Sequence, residues 1–213
     1  VILLTKCHCG ITAHNRVAPA VCVNAMAGIP LHTLCEFALS RNLEGMNTLL
    51  GIPGTVGGAV TMNAGTTNGC MADRLTALSA ITRDGIIRRF EKKELDFGYR
   101  TLSWPREAGS TNPPIIIAAE LELKISENPE ALQKEAQGAL QIRRERQPGG
   151  FPNAGCFYKN PPGNRSAGQL IDQCGLKGQR MGGAEVSTRH ANFLINRGDA
   201  TAADFLSLMD LIE

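Results

Sequence analysis

The sequence predicts an α+β protein in two pieces, and three stretches carry that expectation. "PLHTLCEFALSRN" (30–42) places Leu31, Leu34, Cys35, Ala38 and Leu39 on one helical stripe. "LTALSAIT" (75–82) and "IIRRF" (86–90) flank Asp84-Gly85 and read as a β-hairpin. "EALQKEAQGALQIRRER" (130–146) reads as a long, charged second helix.

Taken in order, the opening "VILLTK" reads as a strand, and Pro30 starts the first helix. Residues 43–69 follow, rich in glycine and almost uncharged. After the hairpin, "IIIAAELELKI" (115–125) is apolar at first and then alternates, as a strand leaving a core does. "SENP" (126–129) breaks the pattern, with Asn128 as N-cap and Pro129 in the first turn of the long helix. "ANFLIN" (191–196) is a short strand, and "DATAADFLSLMDLIE" (199–213) a helix capped by Asp199 or Thr201. The boundary falls near residue 127, giving pieces 1–127 and 128–213, with no internal repeat.

A hydrophobic content of 43% and a charged content of 20% are those of an ordinary soluble protein. A net charge of +2 is too small to argue for nucleic acid or a membrane surface as a partner, and neither is expected. Apolar runs such as "IIIAA" (115–119) are too short to span a bilayer. The chain opens without an initiator Met or the features of a secretory signal, so its N-terminus is expected upstream. Seven cysteines, at 7, 9, 22, 35, 70, 156 and 174, are odd in number and scattered, which suits reduced thiols in a cytoplasm. "CHC" (7–9) near His14 lacks the second pair that structural zinc requires, so no metal site is expected.

Three segments concentrate chemistry. "GIPGTVGGAVTMNAG" (51–65) carries five glycines, and glycine lets backbone N–H groups approach a ligand closely. It is neither a dinucleotide fingerprint nor a P-loop, so a tight turn packed on a sheet explains it equally well. "DFGYRTLSW" (96–104) sets Tyr99 beside Arg100, whose fork suits a carboxylate or phosphate. "RRERQPGGFPNAGCFYKNPPG" (143–163) gathers Arg146, Cys156, Lys159 and Asn160 into one turn-rich stretch. Buried cysteines are usually small hydrophobes, but one between Gly155 and Phe157 in a loop is less readily read that way.

Together "GIPGTVGGAVTMNAG", "FGYR", "AGCFYKNPPG", "SAGQLIDQCGLKG" and "GGAEVSTRHANFLIN" resemble the UDP-N-acetylenolpyruvoylglucosamine reductase (MurB) family, in order and spacing, from about residue 20 to 213. The resemblance implies the second lobe of a vanillyl-alcohol-oxidase (PCMH)-type FAD-binding domain, followed by the family's C-terminal α+β substrate domain. It implies a cytoplasmic UDP-N-acetylmuramate dehydrogenase, in which NADPH reduces FAD. Hydride then passes to UDP-N-acetylglucosamine enolpyruvate, and a side-chain acid protonates the neighbouring carbon. The product, UDP-N-acetylmuramate, feeds peptidoglycan synthesis. The compact stretch after residue 128 resembles the shorter family subtype. A first FAD lobe upstream and a catalytic glutamate beyond residue 213 are expected to complete the whole protein.

Residue by residue, the resemblance implies that Arg100 stabilises the enolate-like carboxylate, as charge development there would require. Cys156 falls where the family usually has a serine proton donor. Tyr99, Lys159 and Asn160 match substrate-contacting motifs. Arg146 stands where a lysine often meets the diphosphate, and Glu185 stands where a glutamine is usual. Gly51, Ile52, Pro53, Gly54, Gly57, Gly58, Asn63, Ala64 and Gly65 match the loop against the flavin, and Ile116 is expected near its ring. Two other readings are another flavin oxidoreductase of this fold and a module that binds a UDP-sugar without turnover. The "KNP…SAG…HANFLIN" run argues against the former.

Overall fold

Alternating apolar residues build the first sheet, and its most apolar strand takes the middle. The computed structural model describes residues 10–15, 19–105 and 113–213. Cys7, His8, Cys9 and the expected opening strand lie outside them. The chain divides into two compact units, residues 1–140 and 141–213.

In the first unit, β1 (Ile11–Asn15), β2 (Ala20–Met26), β10 (Ile115–Ile125), β6 (Leu75–Ile81) and β7 (Ile87–Glu91) lie in that spatial order, all antiparallel. The pair β3 (Leu43–Glu44) caps the far end of β10. β10 runs for eleven residues and buries Ile116, Ala118, Ala119, Leu121 and Leu123, which suits a strand flanked on both sides. The helix α1 (Leu31–Ser40) buries the expected stripe of Leu31, Leu34, Cys35, Ala38 and Leu39. The glycine-rich stretch folds into α2 (Val56–Thr61) and a small hairpin, β4 (Gly65–Thr66) and β5 (Gly69–Cys70), followed by α3 (Met71–Arg74). A second small hairpin, β8 (Asp96–Gly98) and β9 (Thr101–Ser103), follows the expected β6–β7 hairpin.

The long helix α4 (Pro129–Arg146) starts as expected, Asn128 Oδ1 accepting from Ala131 N at 3.0 Å. Its Leu132 and Ala136 pack on Leu39. The division at 140/141 falls inside this helix, whereas the sequence reading sets the boundary before it.

In the second unit, β11 (Asn153–Cys156), β14 (Phe193–Asn196), β13 (Ala184–Val186) and β12 (Arg180–Met181) form an antiparallel sheet in that order. With the helices α5 (Ala167–Gln173) and α6 (Ala202–Ile212) they enclose Ile171, Ala184, Val186, Ala191, Leu194 and Leu208. Two expectations are refined. The strand begins at Phe193 because Ala191 and Asn192 form the turn before it. Thr201 rather than Asp199 caps α6, in a reciprocal pair with Asp204. Among the described residues, no helix is long and apolar enough to cross a membrane.

Candidate functional site

Arg100 and Tyr99 form the turn of the β8–β9 hairpin, Gly98 and Thr101 being its last paired residues. Arg100 has φ 56, in the left-handed region that non-glycine residues rarely adopt. Its Nη1 donates to Asn63 O at 3.2 Å and its Nη2 to Gly65 O at 2.8 Å. A guanidinium has five N–H groups, so these two bonds aim it and leave three with no hydrogen bond to the described residues. Tyr99, 55% exposed, lies beside it with its ring centroid 5.2 Å from the guanidinium carbon.

Asn63 is the joint beneath this turn. Its Nδ2 donates to Gly98 O and its Oδ1 accepts from Ala72 N, both at 3.0 Å. It too has positive φ, 39, and is buried. The expected cofactor residue therefore spends its side chain inside the protein, tying the end of α2 and the start of α3 to the hairpin. Ala64 is likewise engaged through its backbone with Ala59 and Met71.

The glycines of 51–65 separate by cause. A Cβ on Gly57 would come within 2.9 Å of Ala27 Cβ, and one on Gly65 within 2.7 Å of Gly69 O. Those two serve the protein's own packing. Gly51 and Gly54 have φ 83 and 109. Gly58 differs: it is exposed, has ordinary helical backbone, and its Cβ would meet only Thr55 Oγ1 at 3.6 Å. A helix-interior glycine with neither reason leaves a cradle a side chain would fill. Pro53 is exposed and Ile52 half-buried, whereas Ile116 belongs to the core, 6% exposed.

In the second unit, Asn153 Oδ1 accepts from Gly155 N at 3.0 Å, Gly155 takes φ 83, and the β11–β14 register shifts before Cys156 pairs with Phe193. This bulge re-aims the exposed Cys156. Lys159 is exposed and forms no hydrogen bond or ion pair among the described residues. Asn160 Oδ1 accepts from Ala167 N at 3.1 Å, tying the loop to the start of α5. Arg146 is exposed in the last turn of α4. That turn is closed by Arg189 Nη1, which donates to Arg144 O at 3.2 Å and Gln147 O at 3.4 Å.

Glu185 is buried, yet its Oε2 lies 2.5 Å from Arg180 Nε and 3.5 Å from Arg197 Nε. Ala184 and Val186 point into the core, so Glu185 points to the other sheet face. Cys156 and Glu185 oppose Phe193 and Ile195, two residues apart on β14, and so share that face.

Arg180, Arg197, Arg189 and Asn192 were not identified from the sequence. A signal existed for the first: "RMGGAEV" is a two-glycine hairpin, and it sets Arg180 opposite Glu185. The others bond across distances that no short pattern encodes. Burial, then Glu213 and Asp210, push the Tyr158 phenol above its ordinary pKa. Burial pulls His190 below its own. Among the described residues, no group of three or more His, Cys, Asp or Glu could hold a metal.

Residues 147–213 match the family described as UDP-N-acetylenolpyruvoylglucosamine reductase, C-terminal domain, and residues 1–91 match a family described as FAD binding domain. A UDP-N-acetylenolpyruvoylglucosamine reductase of Desulfosudis oleivorans is 47% identical over 188 residues, 88% of this chain and 60% of that protein. One of Heliobacterium modesticaldum is 44% identical, over 89% of this chain and 59% of that protein. The crystal structure of a UDP-N-acetylenolpyruvylglucosamine reductase (MurB) from Thermus caldophilus superposes with a TM-score of 0.78 at 41% identity, over 87% of this chain and 66% of that one. The chain thus spans about 60% of the length of the curated relatives it matches.

Proposed function

Over the stretch it shares with them, this chain belongs to the UDP-N-acetylenolpyruvoylglucosamine reductase family, and on that premise we propose that the protein carrying it reduces UDP-N-acetylglucosamine enolpyruvate to UDP-N-acetylmuramate with NADPH and FAD, in the cytoplasm. The single observation that carries the reading is the Arg100 turn: a guanidinium held by two backbone carbonyls, with donors to spare.

The residues present fit a flavin. Gly54 and Gly58 would meet no side-chain or backbone atom closer than 3.6 Å if they carried a Cβ, so a flat ligand has room against the loop. Gly51 to Gly58 would hold it, with Asn63 to Gly65 behind them. When bound, FAD supplies hydride, received from NADPH, to the enolpyruvyl group.

The chain's own residues do the rest. Arg100 forks onto the substrate carboxylate and holds the negative charge that builds there. Cys156 holds a proton at Sγ and delivers it to the carbon that becomes basic; a thiol, with an ordinary pKa of about 8.5, is an easier donor than an alcohol. Lys159 and Arg146 meet the diphosphate as cations. Tyr99 lies along the ligand and Asn160 contacts it. Glu185 holds Arg180 and Arg197 on the sheet face it shares with Cys156, so its part in binding is exerted through those two side chains.

The test is NADPH oxidation by the full-length protein, which should run steadily only when the enolpyruvyl nucleotide is present. Flavin reduction without turnover, together with a flavin spectrum perturbed by UDP-sugars, would instead indicate binding alone.

A further inference from the structure

Resting on the reading of Cys156 as proton donor, we propose that Asn192 is a positioning residue that fixes the Cys156–Asn160 loop. Asn192 is 3% exposed and touches that loop three times. Its backbone O accepts from Phe157 N at 2.8 Å, its Oδ1 from Tyr158 N at 2.8 Å, and its Nδ2 donates to Tyr158 O at 2.8 Å. One donor and one acceptor on Tyr158 fix which way the amide faces.

The side chain stands in for a strand. β11 ends at Cys156, and Pro161 and Pro162 follow within a few residues, so the loop cannot continue a backbone ladder. Asn192 supplies the next two bonds from a side chain. The loop is then held in register with Phe193 at Cys156, and pinned at Phe157 and Tyr158 by Asn192 and at Asn160 by Ala167 N. Lys159 lies between two pins and Cys156 directly before the first, so both project from a backbone held on either side of Lys159. Asn192 is itself braced. Its N donates to His190 Nδ1 at 3.2 Å, and α5 comes so close that a Cβ on Gly168 would lie 3.5 Å from Asn192 Cβ.

Two measurements on the full-length protein test this. In the wild type, the Tyr158 amide should exchange with solvent at least roughly a hundredfold more slowly than an open loop amide. Asn192→Ala should abolish that protection and lower kcat about 10²-fold, as misplacing a reacting group does. Flavin reduction by NADPH and the KM for NADPH should stay unchanged. Asn192→Asp keeps the acceptor for Tyr158 N but sets a carboxylate oxygen against Tyr158 O. Its turnover, relative to wild type, should recover as pH falls and the protonated acid donates to that carbonyl.

If Asn192 only fills space, the melting temperature drops while kcat per folded molecule holds and the Asp variant gains no acid-side recovery. That result overturns the proposal, as does an unprotected Tyr158 amide in the wild type. Should Asn192→Ala fail to fold, the wild-type exchange and the Asp pH profile decide. A wild type that never turns over the enolpyruvyl nucleotide, but whose Tyr158 protection is lost in Asn192→Ala, leaves the clamp standing and removes the proposed reaction instead.

Discussion

The Arg100 turn and the Cys156 loop are held by the same device in different ways. Beneath each is a buried asparagine, Asn63 at 8% exposure and Asn192 at 3%, whose amide binds backbone on a turn distant in sequence. At the first, the protein also grips the functional group itself, through two carbonyls on the guanidinium. At the second, the backbone is pinned while Cys156 stays exposed. The contrast matches the two jobs proposed for them. A group that stabilises developing charge works best when it is already oriented, because reorganising it would cost energy during the reaction. A proton donor must reach a carbon and be resupplied, which asks for a fixed backbone and an open side chain.

The strongest way to break the comparison is at the proposed donor. Cys156→Ala should slow reoxidation of the reduced enzyme by the enolpyruvyl substrate about 10²–10⁴-fold, the usual range for a lost general acid, while NADPH still bleaches the flavin. Cys156→Ser should retain substantial activity. Rapid mixing separates the steps, and an Ala variant that reoxidises at the wild-type rate removes the thiol from the mechanism.

Next in size, Arg100→Ala should lower kcat roughly 10²–10³-fold, as losing one oxyanion donor does, again with flavin reduction unaffected. Because its side chain also ties the turn to Asn63 and Gly65, the melting temperature should fall too. The Cys156 variants, changed at an exposed side chain, should lose less. A stability cost for Cys156→Ala equal to that for Arg100→Ala would erase the distinction between a side chain gripped by two carbonyls and an exposed one.

Gly58→Ala tests the empty side of the glycine loop with a smaller effect of unusual sign. The added methyl meets only Thr55 Oγ1 at 3.6 Å, and alanine is favoured over glycine in a helix by about 0.5–1 kcal/mol. The flavin-free protein should therefore be slightly more stable, while flavin titration shows weaker binding. Gly57→Ala, aimed at Ala27, should be destabilising in both states. Tighter flavin binding by the Gly58 variant would sink the cradle.

The sequence carried the large elements but not the joints. The α1 stripe, the β6–β7 hairpin, β10 and the Asn128 cap all follow from local periodicity or capping chemistry, which a short window contains. The Ser166 box that starts α5, with Gln169 returning the bond, was equally local and went unread. The candidate site positions were legible only as motifs, and what orients them was not. Asn63 reaches Gly98 across 35 residues and Asn192 reaches Tyr158 across 34, and no period or composition links such pairs. Glu185 gave a different lesson, because its burial is bearable only through two arginines that the hairpin and the chain beyond it bring back.

The smallest effect sharpens the comparison most cleanly, because it separates a residue's backbone from its side chain. Tyr158 is the residue Asn192 holds, but only by its N–H and C=O. Its hydroxyl is buried and finds no hydrogen-bond partner among the described residues, and burial together with the nearby carboxylates of Glu213 and Asp210 disfavours its ionised form. Removing a buried polar group that has no bond to lose is neutral or stabilising. Tyr158→Phe should thus leave the melting temperature unchanged, or raise stability by up to about 1 kcal/mol. Since Asn192 reads the backbone alone, Tyr158 amide protection and kcat should both match the wild type. A drop in turnover with the melting temperature intact would mean that the phenol itself acts on the loop or the ligand. The pinned backbone would then not be the whole of what sets Cys156 in place.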